Sequence, residues 1–266
     1  MLVPPGRKGA LPKDARRLDV PTSKVWLWRP CPTSRGNEFG LFTQLAAVLK
    51  DNPVREEDKA LFGQFARIGL TEKGFDPGKL GEPTLRGMRR AMQDAPAVPV
   101  ASVVGTSQLR DGWNWVTGMD SFGYNYPLRA VVAGPYLGGQ GEPEAMYPIR
   151  YTDSKSQALT GGKTCTMHFS SPPPVDAFWS LTVYNADDKM LIENPIHRYK
   201  VGSNTPGLVR GKDGSFTLTL RHEKPDDASN WVPTPTGGFY LILRLYQPKA
   251  AALEGQWQLP QVDPAN

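Results

Sequence analysis

Three consecutive polar residues, His197, Arg198 and Tyr199, follow an apolar segment and an Asn-Pro turn. An arginine offers a planar fork of donors to carboxylates, phosphates or sugar hydroxyls, and a tyrosine adds an aromatic face with a hydroxyl. The three residues are therefore candidate ligand contacts, and a hydrogen-bond network that holds the following loop is the structural alternative. Arg244 lies inside a dense apolar segment, where a charge needs an acid, several carbonyls or a ligand anion as its partner. It is a fourth candidate, although a structural role is favoured.

Aromatic residues at two-residue spacing form a second candidate surface. Trp113 and Trp115 make one pair, and Tyr124 and Tyr126 make another. On a strand each pair would share one face, and a shared aromatic face can stack against sugar rings. Burial in a sandwich core is the commoner use of such residues. Trp113, Tyr124 and Tyr126 are taken as candidate ligand contacts on this basis.

Metal and nucleophile chemistry find little support in the sequence. The three histidines, His168, His197 and His222, show none of the close spacings typical of metal ligands. No nucleophile-elbow motif occurs, and Cys165 lies three residues before His168, which puts the two on opposite faces of a strand. The sequence therefore predicts no metal site and no cofactor.

Paired carboxylates are the remaining route to catalysis. Asp153 and Asp176 precede segments typical of strands, and Glu193 precedes the Asn-Pro turn. A retaining glycosidase needs two carboxyl groups about 5 Å apart, and an inverting one needs a larger separation. The sequence does not give this distance, so glycan hydrolysis stays an alternative function. The competing interpretation is that these three residues are ordinary acids in turns.

The composition is that of a globular protein rich in turns, with 27 Gly and 26 Pro among 266 residues. The net charge of +5 is spread among acidic and basic residues, so we predict no nucleic-acid surface. No apolar run reaches the roughly 18 residues that span a bilayer, and no secretory signal is visible, which leaves localisation open. The redox state of Cys31 and Cys165 is also open.

The hydrophobic pattern predicts a strand over residues 18–29 and then three helices. The helices are expected over Gly40–Lys50, Arg55–Gly69 and Thr84–Asp94, with Thr84 as an N-cap. The stretch from Arg129 to Pro135 fits either a short helix or a short strand.

Four strands separated by turns follow, over Thr164–Phe169, Phe178–Tyr184, Ser215–His222 and Phe239–Tyr246. In the last strand Phe239, Leu241, Leu243 and Leu245 should share one face, with Arg244 on the other. The predicted fold is mainly β with a helical segment: an antiparallel β-sandwich or jelly-roll-like domain preceded by two or three short helices.

An ordered set of motifs in the C-terminal part resembles a bacterial family, the domain of unknown function numbered twelve-fourteen. The motifs are Ala145-Met146-Tyr147-Pro148, PPPVDAFWSLTVYNADDKMLIENPIHRY, KDGSFTLTL, NWVPTPTGGFYLILRLYQP and LEGQWQLPQV. They extend from about Gly105 to Val262. The resemblance implies β-sandwich domains joined by helices and no established reaction, and members of this family often appear exported.

The opening residues, MLVPPGRKGALPKDARRLDVPTSKVWLWRP, resemble the closing strands of the domain numbered twelve-fifty-four, which usually precedes that family. The segment Pro4-Pro5-Gly6-Arg7-Lys8-Gly9 departs slightly from the glycine-rich turn of that domain. The resemblance implies that most of the partner domain is missing from this chain.

The predicted organisation is a remnant of the partner domain at 1–35, a helical linking segment at 36–104, a β-sandwich at 105–262 and a tail at 263–266. The leading functional hypothesis is a non-catalytic or accessory module that binds a polar ligand such as a carbohydrate. A glycan-directed hydrolase with paired carboxylates is the first alternative. A structural or assembly module that binds a protein, including a replacement for the missing N-terminal domain, is the second.

Overall fold

The computed structural model of the chain describes residues 38–95, 107–134 and 136–265. The predicted strand over residues 18–29, the remnant at 1–35 and Cys31 lie outside these ranges. The domain boundaries of the sequence analysis stay predictions.

Three helices occupy the first described range, as predicted: α1 (Gly40–Leu49), α2 (Lys59–Phe65) and α3 (Glu82–Asp94). Short 3-10 turns flank α2 at Glu56–Asp58 and Ala66–Ile68, and another lies at Pro77–Lys79. The prediction that Thr84 caps α3 is wrong. Gly81 is the N-cap residue, and the helix begins earlier because a proline in the first turn loses no hydrogen bond there.

Two further helices lie in the C-terminal part, α4 (Tyr126–Ala133) and α5 (Ala250–Leu253). The Asn125 side chain accepts a hydrogen bond from the Leu128 backbone N–H at 3.1 Å and so caps α4. The helical alternative for Arg129–Pro135 is thereby confirmed as far as Ala133. Within the described ranges, none of the helices is long and apolar enough to cross a bilayer.

An ion pair joins the helical segment to α4. Arg129 Nη1 lies 2.8 Å from Asp58 Oδ2, and Arg55 Nε lies 3.1 Å from the same oxygen. The Asp58 side chain is only 4% exposed. The hydrogen bond from Arg129 is the main cause that lowers the pKa of Asp58, so the pair stays charged and holds α2 and α4 together.

Eleven strands among the described residues make the fold mainly β, as predicted. In chain order they are β1 (Ser107–Arg110), β2 (Trp113–Val116), β3 (Ala145–Met146), β4 (Ile149–Arg150), β5 (Cys165–Phe169), β6 (Trp179–Asn185), β7 (Lys200–Gly202), β8 (Phe216–Arg221), β9 (Trp231–Pro233), β10 (Phe239–Tyr246) and β11 (Asp263–Pro264). All four strands expected from the hydrophobic pattern are present as β5, β6, β8 and β10.

The strands form two sheets. The large sheet has seven strands in the order β1-β2-β4-β10-β6-β7, with β3 also paired to β10. The small sheet has the order β11-β5-β8-β9. Every pairing is antiparallel except that between β8 and β9, which is parallel. The jelly-roll connectivity stays a prediction.

The core lies between the two sheets. Residues of β6 and β10 from the large sheet share one buried cluster with residues of β5 and β8 from the small sheet. Phe239, Leu241, Leu243 and Leu245 are each at most 2% exposed. The residues between them in β10 are half-buried. The predicted alternation of this strand is therefore confirmed, and Arg244 lies on the face that points away from the core.

Arg150 in β4 is a second arginine of the large sheet, but it is only 2% exposed. Its Nε donates to the Thr152 carbonyl at 2.7 Å, one Nη donates to the Asp111 carbonyl, and the other donates to Gln261 Oε1 at 3.0 Å. Burial lowers the pKa of Arg150. A β-carbon on Gly112, where φ is 80°, would lie 2.5 Å from Nη1, so the turn can pass over the guanidinium only with glycine there.

Candidate functional site

The outward side of the large sheet carries a continuous group of tyrosines around Arg244. We call it the tyrosine–arginine face and define it by Tyr147, Tyr151, Phe178, Thr182, Tyr184, Tyr240, Arg244 and Tyr246. Alternate residues of β10 supply its centre, and β6 and the ends of β3 and β4 supply its two sides. Most of these side chains are half-buried, so they keep surface that a ligand can reach.

One row of stacked phenol rings crosses three strands at one end of this face. Tyr240 is directly opposite Tyr184 in the register of β10 and β6, and their ring centroids are 5.4 Å apart. On the other side Tyr151 stacks against Tyr240 at 5.5 Å. Offset stacking of this kind stabilises the rings beyond the area that they bury. The row is therefore a rigid element of the surface.

A second aromatic row crosses the face on the other side of Arg244. Tyr246 stacks on Phe178 at 4.3 Å, and Tyr147 meets Tyr246 edge to face at 6.4 Å. The Tyr147 hydroxyl hydrogen-bonds Gln140 Oε1 at 3.2 Å. Tyr147 also packs against the apolar cluster beneath α4, so the helix bounds the face on this side.

Arg244 lies between the two aromatic rows. Its Nη1 donates to Thr182 Oγ1 at 3.2 Å, and its Nη2 donates to the Tyr184 hydroxyl at 2.9 Å. The guanidinium carbon is 5.7 Å from the centre of the Tyr184 ring. Among the residues that the structure describes, no carboxylate lies within ion-pair distance of Arg244. Within this part of the chain, two neutral hydroxyls position the arginine.

A second cation approaches the face at its edge. Lys189 Nζ is 5.5 Å from the centre of the Tyr240 ring and donates to the Ala186 carbonyl. Lys189 has a left-handed backbone, with φ at 63°, a conformation that is uncommon for residues other than glycine. The turn between β6 and β7 therefore holds the ammonium group over the first aromatic row.

Burial raises the pKa of several phenols in this region, Tyr147 and Tyr151 among them, and the shift is large for Tyr240 and Tyr136. The pKa of Tyr240 rises to about 12, with smaller contributions from its neighbours Tyr151 and Tyr184. The pKa of Tyr136, which packs with Tyr147 against the cluster beneath α4, also rises to about 12. Desolvation disfavours the phenolate, so both side chains stay neutral hydrogen-bond donors throughout the physiological range.

Alkaline pH should destabilise the fold through these two phenols. Their folded pKa values near 12 exceed the ordinary value of about 10, so their contribution is complete below pH 10 and is lost as pH rises towards 12. After discounting for solvent screening of half-exposed rings, the joint loss is about 2 kcal/mol at pH 11.5. Urea titrations at pH 9 and pH 11.5 measure it. The Tyr136→Phe/Tyr240→Phe variant should lose correspondingly less, and equal losses in both proteins would contradict the assignment.

Trp113 and the two tyrosines that follow it do not form one surface. Trp113 has no exposed area, and its indole N–H donates to the Pro260 carbonyl at 2.8 Å, so the sandwich core surrounds the ring. Tyr124 is 73% exposed in a turn. Tyr126 begins α4, where burial and the Asp58 carboxylate raise its pKa. The strand assumed for Tyr124 and Tyr126 is wrong, because the Asn125 cap and Pro127 start a helix there.

The cluster at 197–199 forms a hydrogen-bond network with a neighbouring loop, which is the structural role considered for it above. Arg198 Nη1 donates to the carbonyls of Ala228, Ser229 and Trp231 at 2.6, 3.1 and 2.8 Å. His197 is exposed, with φ at 50°, and Tyr199 is half-buried. Arg198 therefore holds the loop that leads into β9, and this cluster is separate from the contacts made by Arg244.

Two of the three carboxylates considered for hydrolysis are engaged in separate local contacts. Asp153 is 4% exposed and accepts hydrogen bonds from the backbone N–H groups of Lys155 and Gln157 at 2.8 and 2.9 Å. Asp176 pairs with Lys249 at 3.3 Å. Glu193 is exposed.

Potential metal ligands are also dispersed. His168 hydrogen-bonds the Thr217 hydroxyl, and His222 hydrogen-bonds the Thr234 carbonyl. Across residues 38–95, 107–134 and 136–265, no three His, Cys, Asp or Glu side chains are grouped so that they could hold a metal ion.

The candidates from the sequence include Arg244 but none of the other residues of the face: Tyr147, Tyr151, Phe178, Thr182, Tyr184, Tyr240 and Tyr246. Tyr240 could have been found, because it shares strand parity with Arg244 in β10. Tyr184 and Thr182 share parity in β6, but only the register of β6 against β10 brings them to Arg244. Tyr147 and Tyr151 follow two-residue strands, which are too short to show any periodicity.

Comparison with known proteins identifies the segment that carries this face. Residues 144–250 match the family described as protein of unknown function (DUF1214). The match confirms the resemblance found in the sequence over these residues. All residues of the tyrosine–arginine face lie within the DUF1214 segment. The resemblance of residues 1–30 to a partner domain stays a prediction.

The solved structures supply a fold relative of the DUF1214 segment and its surroundings. The chain is similar to the VPA0106 protein from Vibrio parahaemolyticus, with a TM-score of 0.60 and 25% sequence identity. The similarity covers 85% of this chain and 55% of that protein, so the chain spans about half the length of this relative. An uncharacterised protein from Burkholderia cenocepacia aligns at 17% identity over 73% of this chain and 46% of that one, with a TM-score of 0.38. No curated protein gives a significant match.

Proposed function

We propose that the protein is a binding module for a hydroxyl-rich ligand such as a carbohydrate, and that the ligand lies on the tyrosine–arginine face. The observation that carries the proposal is the position of Arg244 between two aromatic rows on the outward side of the large sheet. Small-molecule sites combine aromatic surface with a few convergent polar groups. This face has that combination, and the groups are held by stacking and hydrogen bonds before any ligand arrives.

The phenols suit a ligand with many hydroxyl groups. The rings of Tyr151, Tyr240 and Tyr184 cover much of one another's faces in their row, so hydrogen bonding at the phenol ends is their main means of contact. A phenol hydroxyl both donates and accepts, as a sugar hydroxyl does. Several of them in a row match the repeated hydroxyls of an oligosaccharide better than they match an apolar ligand.

The test is calorimetric titration of the protein with a panel of neutral and acidic oligosaccharides. At least one member should bind, and the Tyr184→Phe/Tyr240→Phe variant should bind it at least 10-fold more weakly. This variant keeps both rings and removes two hydroxyl groups, each of which contributes on the order of 1 kcal/mol.

Tyr124→Phe is the matched control, because Tyr124 is an exposed tyrosine outside the face. Its affinity should equal that of the unaltered protein. The proposal fails if no oligosaccharide binds, or if Tyr124→Phe and the double variant weaken binding equally.

A further inference from the structure

Around Arg244, hydrogen-bond donors outnumber the acceptors that they contact. A guanidinium has five N–H donors and no acceptor, and Arg244 donates to only two described groups, Thr182 and Tyr184. Both of those groups are hydroxyls that accept from the arginine, so each still has its own proton to donate. Thr182 is buried, so the centre of the face presents donors from the two half-buried side chains, Arg244 and Tyr184, to whatever approaches it.

The centre of the face also carries positive charge without a paired carboxylate among the described residues. Among the described residues the carboxylates near this face lie at its rim: Asp188 beside Tyr240 and Glu144 beside Tyr147. Asp188 accepts a hydrogen bond from the Met190 backbone N–H at 2.8 Å, and neither acid is within 4.0 Å of an Arg244 nitrogen. Lys189 adds a second positive charge over Tyr240. A half-buried cation with neutral partners attracts an anion more strongly than a fully hydrated one would.

We infer that the ligand is an acidic sugar, whose carboxylate pairs with Arg244 while its ring hydroxyls contact the flanking phenols. This inference rests on the proposed function and specifies the class of its ligand. The planar guanidinium fork matches a carboxylate. The tyrosine hydroxyls of the two aromatic rows can hydrogen-bond the hydroxyls of the same molecule. The hydroxyls of a neutral sugar can accept hydrogen bonds from Arg244, but they would leave its positive charge without a counter-ion.

The experiment compares uronate oligosaccharides with their methyl esters, which have the same rings and hydroxyls but no charge. Galacturonate, glucuronate and mannuronate oligomers are each titrated as a matched pair into the unaltered protein. For at least one pair the acid should bind 10-fold or more tightly than the ester. Its Kd should rise several-fold between 20 and 300 mM NaCl while the Kd of the ester stays constant.

Three variants test whether Arg244 is the residue that binds the carboxylate. Arg244→Met should weaken binding of the acid at least 30-fold and binding of the ester no more than a few-fold, and Arg244→Lys should weaken the acid about 10-fold because it keeps the charge and loses the fork. Arg90→Met is the control: it changes the net charge equally on α3, where the Arg90 side chain is 84% exposed, and should bind as the unaltered protein does. Thermal melting verifies that each variant is folded.

The outcomes separate this inference from the proposed function. If acids and esters bind the unaltered protein equally, the acidic-sugar inference is overturned and the binding module remains. If neither the acids nor the esters bind, the inference is overturned, and the proposed function fails with it only if no member of the calorimetric panel of oligosaccharides binds. If a folded Arg244→Met variant weakens acid and ester equally, Arg244 only positions the tyrosines, which also overturns the inference.

Discussion

Replacing Arg150 with methionine is expected to lower the free energy of unfolding by about 4 kcal/mol, the largest loss that we predict for a single side chain. Methionine fills similar volume, but it leaves the Thr152 carbonyl and Gln261 Oε1 without the donor that each has now. The Asp111 carbonyl also loses its bond from Arg150 and keeps only the one from Gln261 Nε2. An acceptor left unpaired in a buried site costs roughly 1–3 kcal/mol. Urea denaturation followed by circular dichroism measures the change.

Arg244→Met is the matched control for this prediction, because it is the same substitution on the same sheet. Arg244 is half-buried, and of its two hydroxyl partners Tyr184 is half-buried and only Thr182 is buried, so its loss should cost about 1 kcal/mol. Two variants of equal stability would show that the partners of Arg150 find other donors, and would contradict the structural role assigned to it.

The second large effect is expected at Gly161, where alanine should destabilise the fold by about 3 kcal/mol. A β-carbon at this position would lie 1.6 Å from the Pro235 carbonyl oxygen. The Gly161 backbone N–H also donates to the Gly237 carbonyl at 3.0 Å. The loop that leads into β10 would have to move, and the hydrogen bond would break. Thermal melting and urea titration both detect a loss of this size.

Gly162→Ala separates this steric effect from the general effect of replacing a glycine. The nearest atom to a β-carbon there is Thr160 Oγ1 at 4.0 Å, which is ordinary contact. This variant should keep the stability of the unaltered protein to within about 0.5 kcal/mol. Equal losses at both positions would mean that chain flexibility, rather than the approach of Pro235, decides the outcome.

The strands with clear alternation could be predicted from the sequence, and the pairings between them could not. Phe239–Tyr246 alternates over eight residues, and both its bounds and its buried face agree with the structure. This parity alone places Arg244 away from the core. The partners of Arg244 come from register and from short strands, which depend on contacts between distant parts of the chain.

The burial of Arg150 also could not be predicted from the sequence. It ends a two-residue strand with no periodic pattern, and its acceptors come from residues 111, 152 and 261. Local sequence therefore says nothing about its burial. The polar cluster at 197–199, which does stand out locally, instead holds a nearby loop through Arg198.

The position of β10 within the large sheet has a consequence for synthesis of the chain on the ribosome. This strand pairs with β3, β4 and β6, all of which are made long before it. Until residues 239–246 emerge, those three strands have no central partner, and their apolar sides stay uncovered. Large sheets with such distant pairings form slowly and expose segments prone to aggregation. We therefore expect nascent chains that stop before β10 to depend on chaperones, and folding to complete only once this strand is released.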